Sequence, residues 1–297
     1  MIDYLIGVDG GGSGTRVRLA GASSATGFDY TEIAEGFAGP SALSQGIAQA
    51  WHAIGAAVAQ AFDAAGLAQP PLANMAIGLG MSGVHNTTWA QAFTSANPGY
   101  AACVLNNDGY TTLLGAHGGK PGAIIALGTG SVGQALLENG ELREVGGWGF
   151  PSGDEGGGAW IGLRAINYIQ QVLDGRLEGG ALADEVIALC GGSRAAIQDW
   201  LAGATATRFA TLAPLVVRHA EDDEAGAEIM QEAGYEVDLM AAALDPDYAL
   251  PLALCGGLGE AILPWLEPET VELVVPAQGD SAAGALRMIA LQLGTEQ

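Results

Sequence analysis

The stretch LIGVDGGGSGTRVRLA, residues 5–20, runs from an apolar segment through one carboxylate, Asp9, into consecutive glycines and then into alternating residues. The alternation in TRVRL, residues 15–19, has a period of two, which is typical of a β-strand and not of a helix. The stretch therefore predicts a β-hairpin over residues 5–19 with a glycine-rich turn. On this pattern alone, the turn either only closes the hairpin or also binds a ligand.

The turn has the chemistry of an anion site, and a polyphosphate is its natural ligand. Glycines without a Cβ let a ligand approach backbone N–H groups closely, and hydroxyls add further donors. A dinucleotide-binding loop is excluded because Thr15 stands where it needs glycine, and a P-loop is excluded because the stretch lacks lysine. The predicted phosphate-binding residues are Gly10, Gly11, Gly12, Ser13 and Thr15.

The charge of the chain limits its partners. It has 297 residues, of which 33 are acidic and 10 basic, so its formal charge is -23. Such a field repels nucleic acids and anionic membrane surfaces, and we expect neither as a partner. The sequence starts without a basic leader and has no apolar run near the roughly 20 residues of a membrane span, so we expect a soluble, cytoplasmic protein. With Lys120 as its one lysine, a phosphate site must use N–H groups, hydroxyls, arginine or a metal.

The cysteines and histidines show no pattern of disulfides or metal ligands. Cys103, Cys190 and Cys255 lie far apart without a CxxC pair, and the four histidines lack HxxxH and HExxH spacing. We therefore expect the cysteines to be small core residues.

A second glycine-rich turn repeats the first. The sequence AIIALGTGSVGQALLENGEL, residues 123–142, places GTGS between two apolar strands and ends on a hairpin signal at Asn139-Gly140. Two such hairpins predict two related α/β halves with a cleft between them. Helices are expected over residues 41–65, 158–173, 207–231 and 280–293, and further strands over 75–79, 102–106 and 250–254.

Five motifs, taken in order, resemble those of the actin-like sugar kinase superfamily. They are GVDGGGSGT at 7–15, LNNDG at 105–109, ALGTGS at 126–131, GGWGFPSGDEGGGAWIG at 146–162 and LCGGLG at 254–259. Within the superfamily they resemble the N-acetylglucosamine/glucosamine kinase branch, which is related to the BadF-type ATPases. The resemblance implies two ribonuclease-H-like α/β domains, residues 1–118 with 286–297 and residues 119–285, that close on ATP–Mg²⁺ and a sugar. Family precedent suggests a homodimer.

Two carboxylates are candidates for the chemistry. Phosphoryl transfer to a sugar hydroxyl needs a general base, and Asp108 follows an apolar strand, where α/β proteins place ligand-binding groups. We predict that Asp108 is this base and contacts the sugar; the alternative is that it caps the helix that follows. Asp9 is predicted to hold Mg²⁺, through water, and its alternative is an ordinary turn aspartate. The resemblance favours the functional role of both.

The remaining candidates surround the nucleotide and the sugar. Sugars are held by aromatic rings and carboxylates, so Trp148 and Asp154 are predicted sugar contacts. Alternatively, Asp154 or Glu155 caps the helix near residue 158 and Trp148 packs beneath it. The predicted second phosphate clamp comprises Gly128, Thr129, Gly130 and Ser131. The resemblance implies that Gly256 and Gly257 admit adenosine against the backbone, while residues 279–285 are assigned to helix packing.

One position departs from the resemblance. The family carries asparagine a few residues after a Gly-Pro, whereas Ala42 follows Ser41 here. Ser41 is predicted to replace part of the sugar contact, and the choice between N-acetylglucosamine and glucosamine stays open. The leading prediction is an ATP-dependent kinase acting on the 6-hydroxyl of an amino sugar. The alternatives are a BadF-type activator ATPase, whose cysteine-held iron–sulfur cluster does not fit the dispersed cysteines, and a non-catalytic sugar or nucleotide sensor.

Overall fold

The chain forms two compact units in the computed structural model, which describes residues 2–22 and 30–295. Unit 1 comprises Met1–Lys120 and Pro276–Gln297, and unit 2 comprises Pro121–Val275. The return to unit 1 begins at Pro276 and not at the predicted residue 286, because the last helix packs along its length on unit 1.

Unit 1 is built on a five-stranded mixed sheet. Its strands are β1 (Tyr4–Gly10), β2 (Thr15–Ala22), β3 (Tyr30–Ala38), β4 (Met75–Met81) and β5 (Ala102–Asn106). Their order in the sheet is β3-β2-β1-β4-β5. β2 is antiparallel to β1 and β3, whereas β4 is parallel to both β1 and β5. The helices of unit 1 are α1 (Ile47–Ala65), α2 (Thr87–Ser95), α3 (Asp108–Ala116) and the C-terminal α12 (Ser281–Thr295). The hairpin predicted from the opening stretch is therefore present.

The two faces of this sheet bury different residues of β1. Ile6 and Val8 belong to the apolar cluster that includes α1, whereas Leu5 packs with Leu286 and Ile289 of α12. Side chains alternate along a strand, so Asp9 lies on the α12 side. The pattern that places the core thus also decides that the Asp9 carboxylate faces α12.

Close packing of α12 depends on two neighbouring glycines in the sheet. Gly7 of β1 and Gly78 of β4 are register partners. A Cβ on either would lie 2.1 Å from a backbone oxygen of α12, Ala282 O or Ala285 O respectively. The helix backbone therefore rests directly on the strands, which fixes its N-terminus beside the first turn.

Unit 2 repeats the arrangement with a smaller, four-stranded sheet. The strands are β6 (Gly122–Leu127), β7 (Ser131–Leu136), β8 (Leu142–Gly146) and β9 (Leu252–Cys255), in the order β8-β7-β6-β9. β6 and β7 are antiparallel, as β1 and β2 are, and β9 runs parallel to β6 as β4 does to β1. The helices are α4 (Gly158–Leu173), α5 (Ala181–Leu189), α6 (Arg194–Ala202), α7 (Ala206–Ala210), α8 (Ala213–His219), α9 (Glu224–Leu244), α10 (Gly259–Ile262) and α11 (Pro268–Leu273). The predicted α/β class and the internal repeat are confirmed.

Two predicted helices are wrong in their extent. The helix predicted from residue 41 begins at Ile47, because Gly46 has a φ of 118° and interrupts the backbone before it. The segment 207–231 is not one helix but parts of α7, α8 and α9. Pro214 lies in the first turn of α8, and the Asp223 side chain caps α9 by accepting from the N–H groups of Ala225 and Gly226.

Candidate functional site

The tip of the first glycine-rich turn is exposed, and the residues on either side of the tip are held by backbone hydrogen bonds. Gly11 N–H donates to Gly14 O at 3.0 Å, and the N–H groups of Ser41 and Ala42 both donate to Gly11 O. Gly12 and Ser13 are exposed between these anchors. The turn therefore presents Gly12 and Ser13 outward, whereas the Gly11 N–H is already used within the turn.

Two of the predicted ligand contacts support the turn and do not face a ligand. Thr15 is buried, and its hydroxyl lies 2.7 Å from both Gly39 O and the Ser41 hydroxyl. Ser41 is fully buried at 0% exposure. The structure therefore does not present the hydroxyl of Thr15 to phosphate or that of Ser41 to a sugar, because both are engaged beneath the turn.

Asp9 stands among other carboxylates at the end of β1. Burial raises its pKa, the hydrogen bond with Ser281 opposes this, and the negative charges of Asp108 and Asp280 raise it further. Arg16, its register partner on β2, acts in the opposite direction. A cation placed beside Asp9 would offset this excess of negative charge.

A shallow depression adjoins Asp9 in unit 1. It has a volume of about 300 Å³ and is lined by Asp9, Ser13, Arg16 and Phe37, among others. The Arg16 guanidinium lies 5.5 Å from the centre of the Phe37 ring. The depression thus combines a carboxylate, a hydroxyl and a cation next to the exposed tip of the turn.

Asp280 ties α12 to β2 beside this depression. Its carboxylate accepts from Arg16 at 2.6 Å and from Arg18 at 2.9 and 3.0 Å, and it caps α12 through Ala283 N–H at 2.9 Å. Burial alone would raise the pKa of Asp280, but the bonds from Arg18, Ala283 and Arg16 outweigh it and lower the pKa to about 2. The carboxylate is therefore ionised across the physiological range.

Asp108 begins α3 but does not cap it. The cap is Asn107, whose side chain accepts from Tyr110 N–H at 2.7 Å. Within the described ranges, the Asp108 carboxylate accepts only a local bond, from its neighbour Gly109 N–H at 3.0 Å, and its side chain is half-buried. The alternative that Asp108 is the helix cap is wrong, and its carboxylate is positioned at the helix N-terminus at the end of β5.

The second glycine-rich turn is joined to the N-terminus of α4 in unit 2. The carbonyls of Gly128 and Thr129 accept from the N–H groups of Gly158 and Ala159, both at 2.8 Å. Ser131 is buried, and its hydroxyl donates to Glu155 O at 2.6 Å. Ser131 therefore supports the turn, and its hydroxyl is not available to the phosphate for which it was predicted. Gly128 and Thr129 are exposed, and Gly130 is partly exposed.

Asp154 and Trp148 do not form a common pocket wall within unit 2. A Cβ on Gly130 would lie 2.4 Å from Asp154 Oδ2, so this carboxylate packs against the second turn, and its Oδ1 accepts from Gly149 N–H at 3.3 Å. Trp148 is 85% exposed. The alternative that Asp154 or Glu155 caps α4 and Trp148 packs beneath it is wrong, because Gly157 is the cap residue of α4, no described side chain caps that helix, and the indole is exposed.

Gly256 and Gly257 lie in the connection between β9 and α10. Gly256 has a φ of 84°, and a Cβ there would lie 2.3 Å from Leu127 O, so the fold itself requires glycine at this position. Gly257 is exposed, and a Cβ there would meet nothing within 4 Å. Of the two, Gly257 is the residue with open space beside its backbone.

Sequence reasoning missed the polar residues that connect the carboxylates of unit 1. Ser281, assigned only to helix packing, bonds Asp9 and also lies 2.8 Å from the Thr111 hydroxyl of α3. Two signals were present: arginines two residues apart in β2, at positions 16 and 18, and an Asp-Ser pair at the start of a small-residue helix. Neither shows which partner it has until the strands and α12 are packed.

Within residues 2–22 and 30–295, no group of three His, Cys, Asp or Glu side chains is arranged to hold a metal ion. None of the described helices is long and apolar enough to cross a membrane.

Cys103 and Cys255 are partly buried and Cys190 is buried, as expected of core residues. Burial raises the pKa of the Cys103 thiol to about 11.

Comparisons with known proteins agree with this arrangement. The family model described as the BadF/BadG/BcrA/BcrD ATPase family matches residues 6–260. Glucosamine kinase GspK of Vibrio cholerae is 30% identical over 286 residues, 96% of this chain and 95% of that protein. An N-acetylmuramic acid/N-acetylglucosamine kinase of Clostridium acetobutylicum is 28% identical over 188 residues, 62% of this chain and 59% of that protein.

A solved structure is similar over nearly the whole chain. It is that of a Chromobacterium violaceum protein provisionally assigned as an N-acetylglucosamine kinase. The sequences are 51% identical, the TM-score is 0.90, and the match covers 97% of this chain and 99% of that one. Both units therefore have counterparts in a single solved chain.

Proposed function

This chain belongs to the BadF/BadG/BcrA/BcrD ATPase family, and we propose that it is an ATP-dependent amino-sugar kinase. The reaction would transfer the γ-phosphoryl group of ATP to the 6-hydroxyl of glucosamine or N-acetylglucosamine. The observation that carries the proposal is the state of Asp108: Asn107 caps α3, and among the described residues the Asp108 carboxylate accepts a hydrogen bond only from its neighbour's N–H.

Asp108 would act as the general base. Its carboxylate would accept the proton of the sugar hydroxyl as that oxygen bonds to the γ-phosphorus and the bond to the ADP oxygen breaks. A base at a half-buried helix start is shielded from bulk water without being sealed from a substrate.

The phosphates would be bound by the exposed parts of the two glycine-rich turns. In unit 1 these are Gly12 and Ser13, and in unit 2 they are Thr129 and Gly130. Backbone N–H groups and hydroxyls at these tips supply donors where no lysine stands. Gly10 is required by close packing, because a Cβ there would lie 2.5 Å from the Ser41 hydroxyl oxygen. The N–H groups of Gly11 and Gly128 donate within the turns, to Gly14 O and Gly130 O.

Asp9 would hold Mg²⁺, and the surroundings of Asp9 fit a cation. Its carboxylate is partly buried and faces the charges of Asp108 and Asp280, which a divalent ion would offset. Because the described residues contain no cluster of three metal-binding side chains, water and phosphate oxygens would complete the coordination. When bound, the ion supplies neutralisation of the triphosphate charge.

The remaining contacts are also proposals. The exposed Trp148 indole offers an aromatic face to a sugar, and Asp154 would act mainly by holding the second turn in place. Gly257 would allow adenosine to lie against the backbone. The cytoplasmic location and the homodimer stay predictions.

The proposal is tested by ADP release with ATP–Mg²⁺ across glucosamine, N-acetylglucosamine, N-acetylmannosamine and glucose, each against a control without sugar. We expect ADP release that depends on an amino sugar, and a phosphorylated sugar of the matching mass. An equal rate of ADP release without any sugar would contradict the kinase proposal and favour an activator ATPase.

A further inference from the structure

We propose that a depression on α9 of unit 2 binds an organic ligand carrying alkylammonium groups, a linear diamine or polyamine. This acidic groove has a volume of about 560 Å³, and its lining includes Glu228, Glu232, Tyr235, Asp238, Trp265 and Glu267. None of these residues belongs to the candidate site described above, so the inference is independent of the proposed function.

The groove is built on one face of a long helix. Four of its lining residues recur three or four positions apart along α9, at 228, 232, 235 and 238, so they share one side of the helix. The facing wall, Trp265 and Glu267, lies directly on α9, because a Cβ on Gly234 would be 2.1 Å from Trp265 O. This close contact fixes the two walls relative to each other.

Asp238 is the residue that most favours a positively charged hydrogen-bond donor in the groove. It is only 9% exposed, and its Oδ2 accepts from Glu267 N–H at 3.1 Å. Its other oxygen, Oδ1, has no hydrogen-bond partner among the residues that the structure describes. A buried carboxylate oxygen without a donor is unfavourable, and an ammonium group brings three donors and the opposite charge.

The net charge of the groove also favours a cationic ligand. Glu228, Glu232, Asp238 and Glu267 contribute four carboxylates. The nearby Arg164 guanidinium lies 3.1 Å from Glu232 and 4.4 Å from the centre of the Trp160 ring, which accounts for one of the four charges. A negative excess therefore remains, and it attracts cations in a manner that salt screens.

The arrangement of the carboxylates and the presence of aromatic side chains favour an organic cation over a metal ion. No three carboxylates here are arranged to hold a metal, a finding that covers the described part of the chain. Tyr235 is 58% exposed, and with Trp265 it offers ring faces for cation–π contact and for methylene groups.

A neighbouring depression extends the acidic surface. It shares Glu228 with the groove, has a volume of about 520 Å³ and includes Glu178, Asp222 and Glu224. Carboxylates separated along a connected surface suit charges separated along a flexible chain. A linear polyamine can place one ammonium group in each depression, which a single ammonium group cannot do.

Isothermal titration of the full chain at low salt tests the proposal, with putrescine and spermidine as probes. We expect one saturable site, with spermidine binding more tightly than putrescine. Asp238→Asn keeps an oxygen for Glu267 N–H and should weaken binding about tenfold or more, and Tyr235→Ala, at an exposed position, should also weaken it. The control Asp199→Asn, at an exposed acid on α6, should bind as the parent does.

Two results would overturn the proposal. One is the absence of saturable binding by the parent protein, which would show only diffuse attraction to a chain of charge -23. The other is unchanged affinity in both Asp238→Asn and Tyr235→Ala, which would place the amine elsewhere. Asp9→Asn separates the sites, because binding in the acidic groove should not respond to a change in the carboxylate cluster of unit 1.

Discussion

Replacing Asp280 with asparagine should destabilise the protein, because this carboxylate joins β2 to α12. It accepts from Arg16 and Arg18 and caps α12 through Ala283 N–H. Asparagine keeps a side-chain oxygen for the cap but removes the charge. Arg18 retains Glu32 and Glu35 as partners, so the variant does not strand a buried cation.

The size of the effect follows from the depressed pKa of Asp280, which is lowered from 3.8 to about 2. A shift of this size corresponds to about 2.4 kcal/mol of stability at pH 7, at roughly 1.36 kcal/mol for each pKa unit. Because the side chain is 25% exposed, solvent screens the ion pairs, and we expect about 1–2 kcal/mol.

The sign of the pH dependence is fixed by the direction of the shift. A carboxyl whose pKa is lower in the folded state contributes its full stability above its unfolded pKa. This contribution is lost as the pH falls through the folded value of about 2. The difference in unfolding free energy between parent and Asp280→Asn should therefore fall by about half between pH 7 and pH 3.

Urea unfolding at pH 7 and pH 3 measures both quantities. Asp63→Asn, at an exposed aspartate of the same unit, is the matched control and should change stability by less than about 0.5 kcal/mol. Equal stability of Asp280→Asn and the parent at pH 7, or a difference that does not change with pH, would refute the reasoning.

Three further outcomes are expected. Gly284→Ala should destabilise the protein by about 3 kcal/mol or more in a denaturant melt, because its Cβ would lie 1.8 Å from Thr111 O. The matched control Gly55→Ala lies in α1 with open space around the added Cβ, and it should stabilise the protein by up to about 1 kcal/mol. Burial raises the pKa of the Cys103 thiol to about 11, so little of it is thiolate at pH 8. Mass spectrometry should therefore show that Cys103 is alkylated on the order of 100-fold more slowly in folded than in urea-unfolded protein. Equal alkylation rates would contradict its burial. Asp9→Asn should raise the KM for ATP–Mg²⁺ about tenfold, and an unchanged KM would argue against its role at the metal.

Much of the fold could be predicted because the sequence repeats strong local signals. The alternation at 15–19, the two glycine-rich turns and the strand-like segment at 102–106 each correspond to an observed strand or turn. The helix over 158–173 was predicted with its observed bounds, since its apolar face has a clear helical period. The segment 207–231 was misjudged because Pro214 and Asp223 begin new helices within an otherwise continuous alanine-rich pattern.

The candidate site was harder to predict because hydroxyl and carboxylate side chains serve a turn as readily as a ligand. Thr15, Ser41 and Ser131 each looked like donors to a ligand, yet each hydroxyl bonds a neighbouring chain segment. Conversely, Ser281 and Asp280 looked structural and lie beside Asp9. Tertiary packing decides between these roles, because the local sequence does not show which distant segment packs against a turn.

Turnover of Asp108→Asn tests most directly whether Asp108 is the base of the proposed amino-sugar kinase. Asparagine can still accept from Gly109 N–H, so the helix start should stay intact. We expect the kcat for sugar-dependent phosphoryl transfer to fall by roughly 10² to 10⁴, with ATP affinity unchanged. A kcat within about threefold of the parent enzyme would contradict the assignment, because a general base contributes far more than that.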